Sequence, residues 1–137
     1  MKRHATATWS GSGKDGYGHI STQSRTLEQV SFTFNSRFSD VAGTNPEELV
    51  AAAHASCFTM KLSFVLNEAG FTAASLESTC YITFENAVIT ESHLIVKAKI
   101  AGISQETFNA CIKETELYGP VSRMLNARIL IEASLEK

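Results

Sequence analysis

The stretch Asn45-Pro46-Glu47-Glu48-Leu49-Val50-Ala51-Ala52-Ala53-His54-Ala55-Ser56-Cys57-Phe58-Thr59-Met60-Lys61-Leu62 decides how this chain folds. Asn45 can cap a helix, Pro46 suits its first position, and Glu47 and Glu48 place negative charge at the positive end of the helix dipole. The pattern predicts a helix from Pro46 to about Ala69, ended by Gly70. Leu49, Val50, Ala53, Phe58, Met60, Leu62, Phe64, Val65 and Leu66 cover nearly its whole circumference, the pattern of a buried helix. Glu48, His54, Lys61 and Asn67 interrupt the run of ~20 apolar residues that a membrane span needs, so a core helix is the reading and no membrane partner is expected. Strands of one small domain cannot cover so long an apolar helix on every side. Part of its surface is therefore expected to meet a second subunit.

Upstream, Ala5, Ala7 and Trp9 alternate with Thr6, Thr8 and Ser10, as in a half-buried strand. Gly11, Gly13 and Gly16 match the spacing of a dinucleotide-binding loop, but the following Tyr17-Gly18-His19-Ile20-Ser21-Thr22 reads as a strand and opens no helix. Phosphate binding needs the positive end of a helix behind the glycines, so a flexible hairpin connection is expected and no cofactor. Val30 to Phe34 alternates as a third strand. Downstream, Leu76, Cys80, Ile82 and Phe84 share one face of a strand, and Leu94, Val96, Ala98 and Ile100 one face of the next, so the two are expected to pair as a long hairpin. A second helix runs from Ser104 to about Tyr118 with Phe108, Cys111, Ile112 and Thr115 on one side, and Gly119-Pro120 stops it. A helical turn over 121–125 and a strand carrying Ile129, Ile131, Ala133 and Leu135 close the chain. The order of elements is that of an α+β domain.

With 137 residues the chain is read as a single domain, 1–137, able to bury roughly 68% of its unfolded surface. Its 12 basic and 14 acidic residues, net −2, form no basic stripe, which argues against nucleic acid and anionic membranes and for a small, weakly charged ligand. Three cysteines without pairable spacing, and an N-terminus that leads into polar residues, point to a reducing compartment, read as the cytoplasm. No C-x-x-C or H-x-x-x-H spacing suggests zinc.

Cysteine reacts as the thiolate, and helical spacing puts His54 and Lys61 one turn either side of Cys57, an arrangement able to lower a thiol pKa. Cys80 and Cys111 fall on apolar faces and are read as core residues. His54 is read as a packed helix residue rather than a general base. Spacing alone leaves Cys57 as either a small buried hydrophobe or a nucleophile.

The run Gly43 to Phe58, with Phe34-Asn35-Ser36-Arg37-Phe38 upstream and Pro120-Val121-Ser122-Arg123-Met124-Leu125 downstream, resembles the OsmC/Ohr family, that of osmotically inducible protein C and the organic hydroperoxide resistance proteins. The resemblance spans nearly the whole chain and is closer to the osmotically inducible branch, because Arg37 lies just before the glycine-threonine-asparagine-proline motif. It implies an intertwined α+β homodimer, antiparallel sheets wrapped around two long central helices, and thiol-dependent reduction of alkyl or fatty-acid hydroperoxides in stress defence. It implies Cys57 as the peroxidatic cysteine, Arg37 as the cation stabilising its thiolate and the leaving oxygen, and Glu47 as the carboxylate holding that guanidinium. A dithiol such as dihydrolipoamide is the implied reductant.

One position departs from the family pattern. Gly119 stands where a second, resolving cysteine usually precedes the proline-valine-serine segment. Cys80, Cys111 or an external thiol would then resolve oxidised Cys57. The rival reading is a non-catalytic, stress-induced dimer that binds a small apolar ligand and has lost turnover with that cysteine. Glu47 and Cys57, ten positions apart at 1.5 Å rise per residue, lie about 15 Å apart along one helix. That spacing leads to the expectation that each active site is shared between two chains.

Overall fold

A computed structural model describes residues 1–136. The protein forms two compact units, the first Met1–Leu49 and the second from Val50 onward.

In the first unit, strands β1 (Ala5–Ser10), β2 (Tyr17–Thr22) and β3 (Val30–Phe32) form an antiparallel sheet in sequence order. The glycines between β1 and β2 make the hairpin connection expected of them. All six β1 residues are exposed within the chain, although their alternation suggested a half-buried strand. The third strand is shorter than its apolar pattern predicts. Thr33 leaves the ladder and caps a five-residue helix α1 (Phe34–Phe38), its hydroxyl accepting from the Ser36 amide while Ser36 Oγ accepts from the Thr33 amide. This reciprocal cap satisfies two donors that a continued strand would have paired elsewhere.

Helix α2 spans Pro46–Glu68. Asn45 Oδ1 accepts from the Glu48 amide at 2.7 Å, as expected of its cap. At the other end Gly70 takes φ +93°, and the Phe71 amide reaches back to the Leu66 carbonyl at 2.8 Å, closing the helix as only a left-handed residue allows cheaply. By length and composition alone α2 is apolar enough to cross a bilayer. Its buried stripe, His54, Phe58, Leu62, Val65 and Leu66, instead packs into the core of the second unit. Each of the larger apolar side chains in that stripe contributes roughly 1.5–3 kcal/mol by leaving water. The rest of the circumference is not buried within the chain: Met60 is 65% exposed and Phe64 60%.

The second unit adds strands β4 (Ser75–Glu85), β5 (Val88–Lys99) and β6 (Arg128–Glu136), with helices α3 (Gln105–Tyr118) and α4 (Pro120–Met124) between β5 and β6. β4 and β5 pair as the predicted long antiparallel hairpin. β6 runs parallel to β5, so this sheet is mixed rather than antiparallel throughout. The reason is the crossover: a strand that returns after the α3–α4 connection enters from the same end as β5, which a two-residue turn could not achieve. Ser92, Leu94, Val96 and Ala98 on β5 are buried beneath α2 and α3, whose Phe108 and Cys111 complete the core.

Candidate functional site

The first unit brings Arg37 and Glu47 together. Arg37 Nη2 lies 2.7 Å from Glu47 Oε1, and Arg37 Nε donates to Oε1 at 3.0 Å and Oε2 at 3.3 Å. A guanidinium fork on a carboxylate fixes orientation as well as distance. The pair is held from behind. Ser36 Oγ donates to the Thr44 carbonyl at 2.9 Å, and Asn45 Nδ2 donates to the Ser36 carbonyl at 3.2 Å, so the turn of α1 that carries Arg37 is tied to the start of α2 that carries Glu47. Gly43 makes the approach possible, since at φ +126° a Cβ there would stand 2.9 Å from the Ser31 carbonyl oxygen. Ser36 was not singled out in the sequence; its spacing from Thr33, that of a helix N-terminus, was the available signal.

Aromatic rings surround the arginine. Phe34 and Phe38 stack at 4.6 Å between centroids, the Arg37 guanidinium carbon lies 5.3 Å from the Phe38 ring centre, and Trp9 and Phe32 pack at 5.2 Å. These side chains, with Pro46, line an apolar pocket of about 220 Å³ in the first unit. Its chemistry suits an uncharged organic group next to a fixed cation.

In the second unit Cys57 is half-buried and free. It shares the exposed face of α2 with Ala53, Met60 and Phe64, at i−4, i+3 and i+7. His54 does not join it there. The imidazole has no solvent exposure and is engaged at both nitrogens, Nδ1 with Ser92 Oγ at 2.6 Å and Nε2 with Ser122 Oγ at 2.8 Å. Desolvation lowers the His54 pKa and favours the neutral ring, so the expectation of a cation one turn before the thiol is corrected. His54 is a packed, fully satisfied core histidine that ties α2 to β5 and α4. Ser92 could have been suspected from sequence, as a hydroxyl in line with the apolar face of Leu94, Val96 and Ala98; Ser122 carried no such signal.

The other cysteines take the core positions expected of them. Cys111 is 4% exposed, and burial, then the Glu114 charge, pushes its thiol pKa up. Cys80 is half-buried on β4, with Sγ 3.2 Å from Ser92 Oγ; burial pushes its thiol up, partly offset by that hydrogen bond. Among the described residues no cluster of His, Cys, Asp or Glu is arranged to hold a metal ion.

Residues 38–134 match the family of OsmC-like proteins. The chain is also 40% identical over 140 residues, 99% of its own length and 98% of the relative's, to Peroxiredoxin OsmC of Escherichia coli. This chain belongs to the OsmC-like family. Its similarity to that relative supports the osmotically inducible branch and a peroxiredoxin-like enzyme. The fold agrees: an OsmC-like protein of Mycoplasma pneumoniae superposes with a TM-score of 0.79 over 100% of this chain and 99% of that one, at 13% identity. The organic hydroperoxide resistance protein OhrB of Bacillus subtilis gives 0.66 over 97% and 98%, at 21% identity.

Proposed function

We propose that this OsmC-like chain is a homodimeric, cytoplasmic thiol peroxidase that reduces organic hydroperoxides through Cys57. The observation that carries the reading is the forked Arg37–Glu47 pair beside an aromatic pocket, in a chain whose one cysteine outside the core cluster is Cys57. The Cys57 thiolate attacks the outer oxygen of the hydroperoxide, the O–O bond breaks, and the alkoxide leaves and takes a proton to become the alcohol. Arg37 stabilises the thiolate and the charge growing on the leaving oxygen, and Glu47 holds the guanidinium in the orientation that does so. The aromatic pocket takes the organic group, and a thiol reductant such as dihydrolipoamide completes the cycle.

The dimer reading is supported by the exposed apolar stripe of α2 and by the exposed strand β1, surfaces that a second copy would cover. The sequence spacing of Glu47 and Cys57 supports sites shared between chains. Glu47 and Cys57 are separated by about 15 Å along one helix, so the Arg37–Glu47 pair of one chain would serve Cys57 of the other.

Free-thiol titration before and after one equivalent of cumene hydroperoxide tests the function. Selective loss of the Cys57 thiol with release of cumyl alcohol is the expected result. Gly119 favours the second reading, a dimer that binds an apolar ligand without turnover; three unchanged thiols with saturable binding of the hydroperoxide would establish it.

A further inference from the structure

Oxidised Cys57 must be returned to the thiol, and the positions of the chain's own cysteines decide how. Cys111 lies within the core cluster on α3, packed with Phe108. Cys80 packs against the same core from β4, its Sγ 3.2 Å from Ser92 Oγ and 3.9 Å from His54 Nδ1. β4 meets α2 on a particular side, because Thr59 Oγ1 donates to Ser78 Oγ at 2.7 Å. Thr59 and Cys57 are two positions apart on α2, so at ~100° per residue their side chains diverge by about 160°. At Ser78 the strand therefore lies against the face of α2 opposite Cys57, and at Cys80 it meets the buried ring of His54. One turn either side of Cys57 the helix carries Ala53, His54, Met60 and Lys61, and none is a thiol. A disulfide needs Cα atoms within ~7 Å and Cβ atoms directed at one another, so to reach Cys57 the Cys80 thiol would have to leave Ser92 and His54, and Cys111 would have to leave the core cluster.

We infer that Cys57 works as a single-cysteine centre, its sulfenic acid being resolved by a low-molecular-weight thiol from solution and not by Cys80 or Cys111. This rests on the peroxidase reading above. In the first step Cys57 thiolate and ROOH give Cys57–SOH and RO⁻, which is protonated to ROH. A thiolate R′S⁻ then attacks the sulfenic sulfur; the S–O bond breaks, hydroxide leaves as water with the thiol's proton, and a Cys57–S–S–R′ mixed disulfide forms. A second thiol attacks the R′ sulfur, releases R′S–SR′ and restores Cys57. The hydroperoxide takes up two electrons and the two thiols supply them. A dithiol performs both attacks within one molecule, so its second step is intramolecular and faster than that of a monothiol.

Intact-protein mass spectrometry with peptide mapping tests this, using the full chain, one equivalent of cumene hydroperoxide, and either no thiol, reduced glutathione, or dihydrolipoamide. The expected results are oxygen retained on Cys57 without thiol, a Cys57–glutathione mixed disulfide with the monothiol, and fully reduced protein with the dithiol. The Cys80→Ser/Cys111→Ser double variant is expected to turn over at the parent's rate. Loss of two hydrogens mapped to Cys57–Cys80 or Cys57–Cys111 would overturn the inference while keeping the peroxidase. So would a Cys57–Cys57 cross-link between chains that forms before any mixed disulfide. An unmodified Cys57 with no peroxide consumed in any arm would overturn both.

Discussion

His54 Nε2 stands 2.8 Å from Ser122 Oγ, so a ring on α2 with no solvent exposure holds the short helix that follows Gly119. Its other nitrogen holds Ser92 on β5. Replacing His54 with Ala leaves two buried hydroxyls without their partner and opens a cavity, and the expected cost is about 2–5 kcal/mol of stability. Urea unfolding of the variant and parent measures it; a difference near zero would mean that Ser92 and Ser122 find other partners.

The same ring makes stability depend on pH. Burial lowers the folded-state His54 pKa below the ordinary 6.5, so the folded protein prefers the neutral ring and the unfolded chain binds the proton more readily. The stability this contributes is fully present above the unfolded pKa and is lost as pH falls from there through the folded value. The urea midpoint is expected to drop between neutral and mildly acid pH, and the His54→Gln variant is expected to lose most of that slope. An identical slope in the variant would assign the dependence to other groups.

Arg37→Met tests the cation. Removing an always-charged guanidinium from a thiolate's surroundings favours the thiol, so alkylation of Cys57 by iodoacetamide at neutral pH is expected to slow by about tenfold or more, its pH profile moving to higher pH. Overlaying profiles would place Arg37 outside the site.

Sharing of sites is tested by subunit exchange between Cys57→Ser and Glu47→Ala proteins. Random exchange makes half of the dimers mixed, each gathering both lesions into one site and leaving the other intact, so activity is expected to rise to about a quarter of the parent's. No recovery with exchange verified would mean that Glu47 serves its own chain or has no role.

Gly119→Cys asks whether a thiol at the α3–α4 junction changes the route of resolution. Backbone torsions there are ordinary for any residue (φ −67°), but a Cβ would stand 3.0 Å from the Thr115 carbonyl oxygen and 3.3 Å from Ser122 Oγ. The crowding is expected to cost about 1 kcal/mol, seen as a lower thermal midpoint. The His54–Ser122 bond sets this junction against α2 one turn before Cys57. Peroxide treatment of the variant is accordingly expected to give an internal disulfide between Cys57 and the introduced thiol, read by peptide mapping. A variant that keeps the parent's mixed disulfide with glutathione would show that the junction lies out of reach.

Much of this fold was legible in the chain before any packing. Asn45 and Gly70 bound α2 through hydrogen bonds that reach only a few residues, Pro46 through its fixed φ, and the alternation along 76–84 and 94–100 marks two strands because side chains two apart share a face. Arg37, Glu47 and Cys57 were marked by motif, and the forked Arg37–Glu47 pair spans only ten positions of chain.

What the tertiary structure alone decided lies at longer range or in competition between local signals. Phe34 alternates with Phe32, yet the Thr33–Ser36 cap outweighs one more ladder residue and starts α1. The parallel placement of β6 depends on where the α3–α4 crossover delivers the chain, which no periodicity encodes. His54 is separated from Ser92 by 38 positions and from Ser122 by 68, and only packing shows that both ring nitrogens are satisfied in the core while Cys57, three residues on, is only half-buried. An apolar residue on an all-apolar helix carries no mark of which side the core will cover; Phe58 and Met60 differ in burial because the sheet lies under one and not the other.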